Sequence, residues 1–147
     1  MIDGRLLFVV TLIIFAAAFT TEAQQPVKVP RIGYLSFPSL SANAARIEAF
    51  RQGLRELGYV EGKNIAIEWR SADGKLERLP ALAAELVGLK VAVIVTGGGA
   101  PTRRAKEATS TIPIVMTNDP DPVGDGFVAS LARPGGNITG RPPLPRT

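Results

Sequence analysis

Val91-Ala-Val-Ile-Val-Thr-Gly-Gly-Gly-Ala-Pro101 is a continuously apolar, β-branched run that passes through three glycines into a proline. Residues 91–95 read as a strand buried on both faces, since nothing in them alternates. The proline belongs to the first turn of a following helix, predicted over residues 101–109. A strand that feeds a helix through Thr96, Gly97, Gly98 and Gly99 leaves backbone N–H groups free where an anion can bind. A second glycine-bearing turn, Asp121-Pro122-Val123-Gly124, follows the next predicted strand, residues 113–117. In alternating strand–helix folds ligands sit beyond the carboxyl ends of the strands, so two such turns on consecutive strands line one crevice.

Outward from this centre the alternation continues. Residues 31–36 form a buried strand, Arg31-Ile-Gly-Tyr-Leu-Ser36, ended by Pro38. From Asn43 the apolar positions Ile47, Phe50, Leu54 and Leu57 recur at spacings of three and four, a helix that Gly58 stops. Residues 64–70 alternate, with Ile65, Ile67 and Trp69 on one face, which predicts a half-buried strand near an edge. Residues 79–89 predict a helix that starts near Glu77 or Arg78 because Pro80 is tolerated only in its first turn. Residues 126–131 predict a fourth helix, closed by Arg133-Pro134-Gly135-Gly136, and residues 137–139 the start of a fifth strand. The expected fold is therefore α/β, a doubly wound parallel sheet of flavodoxin-like order 2-1-3-4 with a possible fifth strand and helices on both faces.

Composition narrows the chemistry. The chain of 147 residues has no cysteine and no histidine. That removes disulfides, a lipid-anchor cysteine, thiolate metal sites, the commonest nucleophile and the commonest general base. No metal, no cofactor and no catalysis are expected. The net charge of +4 is interleaved along helices rather than gathered into a stripe with aromatics, so nucleic acid is not an expected partner. Arg5 precedes an apolar run over residues 6–19, shorter than the about 20 residues of a membrane span, and small residues follow at Thr21 and Ala23. Residues 1–23 are read as a cleavable signal peptide, which implies a periplasmic or secreted protein. Residues 24–140 then form one lobe, and the proline-rich residues 141–147 an irregular tail.

Candidate binding residues cluster after three strands. Ser36, Phe37 and Ser39 follow the first, where hydroxyls suit a ligand's polar end and the ring its apolar part; the alternative is a solvated turn around Pro38. Asn118, Asp119 and Asp121 follow the fourth, where one carboxylate suits a ligand amino group and the other a cap of the helix that follows. The two acids together with Asp125 do not make a calcium loop, because Pro120 and Pro122 stiffen it and no bidentate glutamate follows. Asn137-Ile138-Thr139 matches a glycosylation sequon, a short pattern that arises easily by chance.

Four segments in this order carry a resemblance: Arg31-Ile-Gly-Tyr-Leu35, the stretch Phe50-Arg-Gln-Gly-Leu-Arg-Glu-Leu-Gly-Tyr-Val-Glu-Gly-Lys-Asn64, Ser110-Thr-Ile-Pro-Ile-Val115, and Asp121-Pro-Val-Gly124 followed by Leu131-Ala-Arg-Pro-Gly-Gly-Asn-Ile-Thr-Gly140. The chain resembles the substrate-binding proteins of bacterial ABC transporters, in the branch of aromatic and other hydrophobic amino acids. The resemblance implies one lobe of a two-lobe periplasmic-binding-protein-like fold, a ligand held in the cleft, and a membrane permease as partner. It implies that Thr96, Gly97 and Gly98 receive the ligand's carboxylate; the family commonly carries threonine where this chain has Gly98. The chain stops where the family's chain crosses to its second lobe, so a truncated copy is expected. Two other readings stand beside it. One is a Rossmann-like dinucleotide enzyme, which the position of the turn after the third strand and Thr102 in place of a third fingerprint glycine oppose; the other is a secreted interaction module without a small ligand.

Overall fold

The computed structural model describes residues 28–130, 133 and 135–140. The predicted signal peptide and tail lie outside them. Five parallel strands, β1 (Arg31–Ser36), β2 (Ala66–Ser71), β3 (Val93–Gly97), β4 (Ile114–Met116) and β5 (Ile138–Gly140), form one sheet in the order β2-β1-β3-β4-β5. The expected order and the fifth strand are both present. The helices are α1 (Ala44–Glu56), α2 (Leu79–Gly88), entered through a 3-10 turn over Leu76–Arg78, and α3 (Gly99–Ala108).

Right-handed crossovers decide which face each helix covers. The β1-to-β2 connection runs one way along the sheet, and the next two run the other way. So α1 takes one face, while α2 and α3 pack side by side on the opposite one. Side-chain parity follows: Ile32, Tyr34 and Val95 are buried with Ile47 of α1, while Leu35 and Ile94 are buried with Leu79, Ala83 and Leu86 of α2 and Ala105 of α3. Edge strand β2 is half-buried throughout, with Ile67 and Trp69 packed on the α1 side.

The α1–β2 connection shows how local chemistry sets the frame. Gly58 takes φ +86°, so the Gly58 N–H reaches the Arg55 carbonyl (2.9 Å) and the Tyr59 N–H the Leu54 carbonyl (2.8 Å), the paired bonds that close a helix. Asn64 then ties the loop by accepting from the Val60 N–H (2.7 Å) and donating to the Gly58 carbonyl (2.8 Å). Beneath α1, the rings of Tyr34, Phe50 and Trp69 lie with centroids 5.0–6.3 Å apart. Trp69 Nε1 donates to Glu61 (2.8 Å), and Arg51 lies over the same ring at 4.7 Å. This aromatic block holds Tyr34 in place at the heart of the α1 face.

Three expectations need correction. Strand β3 starts and ends two residues later than predicted, because Lys90 at φ +52° is still turning the chain; helix α3 starts at Gly99 rather than Pro101. Pro101 is thus the third helical residue, where its missing N–H has no partner to lose. The predicted fourth helix is absent: among the described residues of its span, 126–130, the chain makes turns and bends. One turn closes when the Gly126 N–H reaches the Val123 carbonyl (3.0 Å), after which Phe127 and Val128 both enter the core. Burying two adjacent side chains directly against the sheet replaces the amphipathic face that a helix needs.

Candidate functional site

The parallel register brings the carboxyl ends of the strands level: Ser36 is opposite both Ser71 and Gly97, and Thr96 is opposite Met116. At this edge Gly97 ends β3 and Gly98 caps α3 at φ +103°, ψ 171°, a conformation essentially confined to glycine. Thr117 locks β4 to β3 by donating both its N–H (3.0 Å) and its hydroxyl (2.9 Å) to the Thr96 carbonyl. A Cβ added at Gly97 would lie 3.7 Å from the Tyr34 hydroxyl oxygen, and one at Gly98 would lie 3.9 Å from the Asn118 carbonyl. Gly97 and Gly98 thus lie beside the Tyr34 hydroxyl and the loop after β4, with room for a Cβ at either position.

A pocket of about 310 Å³ opens there, lined by Tyr34, Arg46, Ala49, Phe50, Thr117 and Asn118. Its volume is at the lower end of the range for small-ligand sites, and its position beyond the strand ends is where such folds bind. Tyr34 is 2% exposed; its hydroxyl accepts from Asn43 Nδ2 (3.3 Å), and no acceptor for its proton is present among the described residues. Burial pushes the Tyr34 phenol up from its ordinary range, opposed by the Asn43 hydrogen bond and the nearby Arg46 charge. It therefore stays a neutral hydrogen-bond donor at physiological pH. A larger groove, about 390 Å³, lies beside Asn137 and Ile138 at the amino end of β5, away from the strand carboxyl ends.

The sequence-predicted residues divide. Gly97, Gly98 and Asn118 meet at the crevice. Thr96 reaches it only through its backbone: its side chain points to the opposite face, fully buried, 2.7 Å from the Thr102 hydroxyl, which donates to the Gly98 carbonyl (2.8 Å). Ser36 is fully buried; it donates to the Pro38 carbonyl (2.9 Å) and lies 3.5 Å from Asn43 Nδ2, the same amide nitrogen that donates to the Tyr34 hydroxyl. Phe37 packs against the core on the α2–α3 face. Ser39 accepts from the Ala42 N–H (3.2 Å) in the turn before α1. Asp121 caps a turn by accepting from the Gly124 N–H (2.9 Å).

Asp119 combines two roles. Its Oδ1 accepts from the Asp121 N–H (2.9 Å), while its Oδ2, buried, has no hydrogen-bond partner among the described residues and lies 3.4 Å from where a Gly99 Cβ would sit. Burial raises its carboxyl above the ordinary range; the Asp121 N–H bond opposes this, and the neighbouring Asp125 and Asp121 charges add to it. Among the described residues no group of three or more His, Cys, Asp or Glu is placed to hold a metal ion, and no helix is long and apolar enough to cross a membrane.

Tyr34, Asn43, Arg46, Phe50 and Thr117 were not singled out by sequence. One signal for Tyr34 was available: a tyrosine in an otherwise apolar parallel strand needs a partner for its hydroxyl.

Comparison with known proteins places this geometry. The model of a family described as ABC transporter substrate binding protein matches residues 31–142. A tyrosine-binding protein of Clostridioides difficile (strain R20291) is 36% identical over 93 residues, 63% of this chain and 27% of the relative. Among solved structures, an open, ligand-free substrate binding protein with adhesive properties from Clostridium difficile superposes with TM-score 0.71 at 29% identity, over 76% of this chain and 38% of that one. An ABC domain from Streptococcus pneumonia in complex with L-Trp gives TM-score 0.71 at 27% identity, over 76% and 37%. A conserved domain protein from Vibrio cholerae gives 0.74 at 32%, over 80% and 40%. This chain thus spans well under half the length of these relatives, as a single α/β lobe does. The matched relatives with a stated role are substrate-binding proteins rather than enzymes. The chain belongs to the ABC transporter substrate binding protein family.

Proposed function

We propose that this lobe is the ligand-binding part of an extracytoplasmic component of an ABC import system, taking a small carboxylate-bearing ligand such as an aromatic or hydrophobic amino acid and working with a membrane permease. The observation that carries the reading is the pocket at the carboxyl edge, lined by the buried Tyr34, by Phe50 and by Asn118, with Gly97 and Gly98 beside it. The relatives named for tyrosine and solved with L-Trp support an aromatic amino acid as ligand. Residues 1–23 act in this reading as the export signal, and the mature protein works in the periplasm or at the cell surface. Ser36 supports Tyr34 through Asn43, and Gly97, Gly98 and Asn118 serve as ligand contacts.

Thermal unfolding of the purified chain with and without a panel of amino acids tests the reading. A ligand at a hundred times its Kd stabilises by about 2.7 kcal/mol, which for a domain of this size is a rise in Tm of about 10 °C or more. L-tyrosine or L-tryptophan should raise Tm with increasing concentration, while glucose should not. No shift with any amino acid would overturn the reading.

A further inference from the structure

The charge at this pocket has one source. Helix α1 carries three arginines, and two are paired: Arg51 with Glu61 (2.9 Å) and Arg55 with Glu48 (2.6 Å). Arg46 has no acidic partner among the described residues. It occupies the first turn of α1, which contains no acidic residue, so the helix dipole disfavours its charge there. Neither an ion pair within the described residues nor the helix dipole therefore accounts for a cation at this position. Arg46 is also the single charged residue among the six that line the pocket, and its field reaches the Tyr34 hydroxyl.

Meanwhile the group expected to receive a carboxylate is occupied. The Thr102 hydroxyl gives its proton to the Gly98 carbonyl, so the Thr96 hydroxyl, 2.7 Å away, gives its own to Thr102, on the face of the sheet opposite the pocket. The Tyr34 hydroxyl has no acceptor for its proton among the described residues. Phe50 supplies an apolar wall.

We infer that Arg46, rather than the Thr96 hydroxyl, is the ion partner of the ligand's carboxylate, with Tyr34 as the adjacent neutral donor, so that the site selects aromatic or large apolar carboxylates whether or not they carry an amino group. This rests on the proposed function and adds the basis of its selectivity. A fork of guanidinium donors suits a carboxylate in two-point contact, and the phenol proton reaches a second lone pair.

Calorimetry on the full chain with three probes separates the possibilities: L-tryptophan, 3-indolepropionate, which keeps the carboxylate and lacks the ammonium, and tryptamine, which keeps only the ammonium. Wild type should bind the two carboxylates with similar Kd and tryptamine about tenfold or more weakly. Arg46→Met should weaken both carboxylates by about tenfold or more and leave tryptamine within about twofold, while Arg46→Lys recovers part of the loss. Arg55→Met, on the same helix and outside the pocket, should change none of the three. Circular dichroism confirms that each variant is folded. If folded Arg46→Met binds tryptophan as wild type does, or if tryptamine binds wild type as well as 3-indolepropionate, the Arg46 assignment is overturned and the ligand-binding reading stands. If wild type binds none of the three, that reading falls and the assignment with it.

Discussion

Replacing Gly98 by alanine isolates the backbone geometry on which the crevice depends. Gly98 sits at φ +103°, ψ 171°, where a Cβ is strained whatever the surrounding space, and the nearest atom to that Cβ is the Asn118 carbonyl at 3.9 Å. Crowding therefore contributes nothing, and the cost is the backbone strain of about 1–3 kcal/mol. Gly97 supplies the control one residue away. It is not among the residues of positive φ, and its added Cβ would meet only the Tyr34 hydroxyl oxygen at 3.7 Å, an ordinary contact. Alanine is compatible there, and Gly97→Ala should be neutral or stabilising by up to about 1 kcal/mol through the unfolded chain. Urea unfolding of the three proteins should place Gly98→Ala about 2 kcal/mol below wild type. With a slope of about 2 kcal/mol per molar, that moves the midpoint by about 1 M. Equal midpoints for the two variants would refute the reasoning, because the strain at Gly98 would then be absent.

Further outcomes follow from the core and the loops. Leu86 is fully buried between α2 and the sheet, with its Cδ atoms 3.0 Å from where a Gly33 Cβ would lie, so Leu86→Ala should cost about 3 kcal/mol in denaturant unfolding. Asn64→Ala removes both bonds that tie Val60 and Gly58 and should cost about 1–2 kcal/mol without altering ligand affinity, as the loop is remote from the pocket. The carboxyl of Asp119 is raised in the folded state, so its favourable contribution is complete below the ordinary carboxylate range and is lost as pH rises through the raised value. Asp119→Asn keeps an acceptor for the Asp121 N–H and removes the charge. It should be more stable than wild type at pH 7, with the advantage gone near about pH 3; a gain independent of pH, read from melting curves across that range, would contradict this.

The parts of the fold legible in sequence are those whose signals are local. The period of two in Ile65, Ile67 and Trp69 announced a half-buried strand, and the apolar run over residues 91–95 announced a central one, which the structure places two residues later. Gly58 ended α1 as expected because a left-handed residue is a requirement of the chain itself. The direction of the Thr96 side chain was also available from parity: it shares a face with Ile94, which packs toward α2 and α3, so its hydroxyl turns away from the α1 side. The fourth helix failed because Phe127 and Val128 are held by the core rather than by a helical repeat, a tertiary effect that no local pattern records. Arg46 and Phe50 were hidden for a similar reason. They resemble any surface arginine and any core aromatic until the register of β1, β3 and β4 sets them beside Thr117 and Asn118.

The central claim is that ligand is held at the carboxyl edge of the sheet. Amide and side-chain chemical shifts of the isotopically labelled chain, followed during titration with L-tryptophan, test it most directly. The largest changes should fall on Tyr34, Arg46, Gly97, Gly98, Thr117 and Asn118, with little change at the amino ends of the strands around Arg31, Ala92 and Asn137. Saturable shifts centred on the groove beside Asn137 and Ile138, or a spectrum that does not change at all, would contradict it.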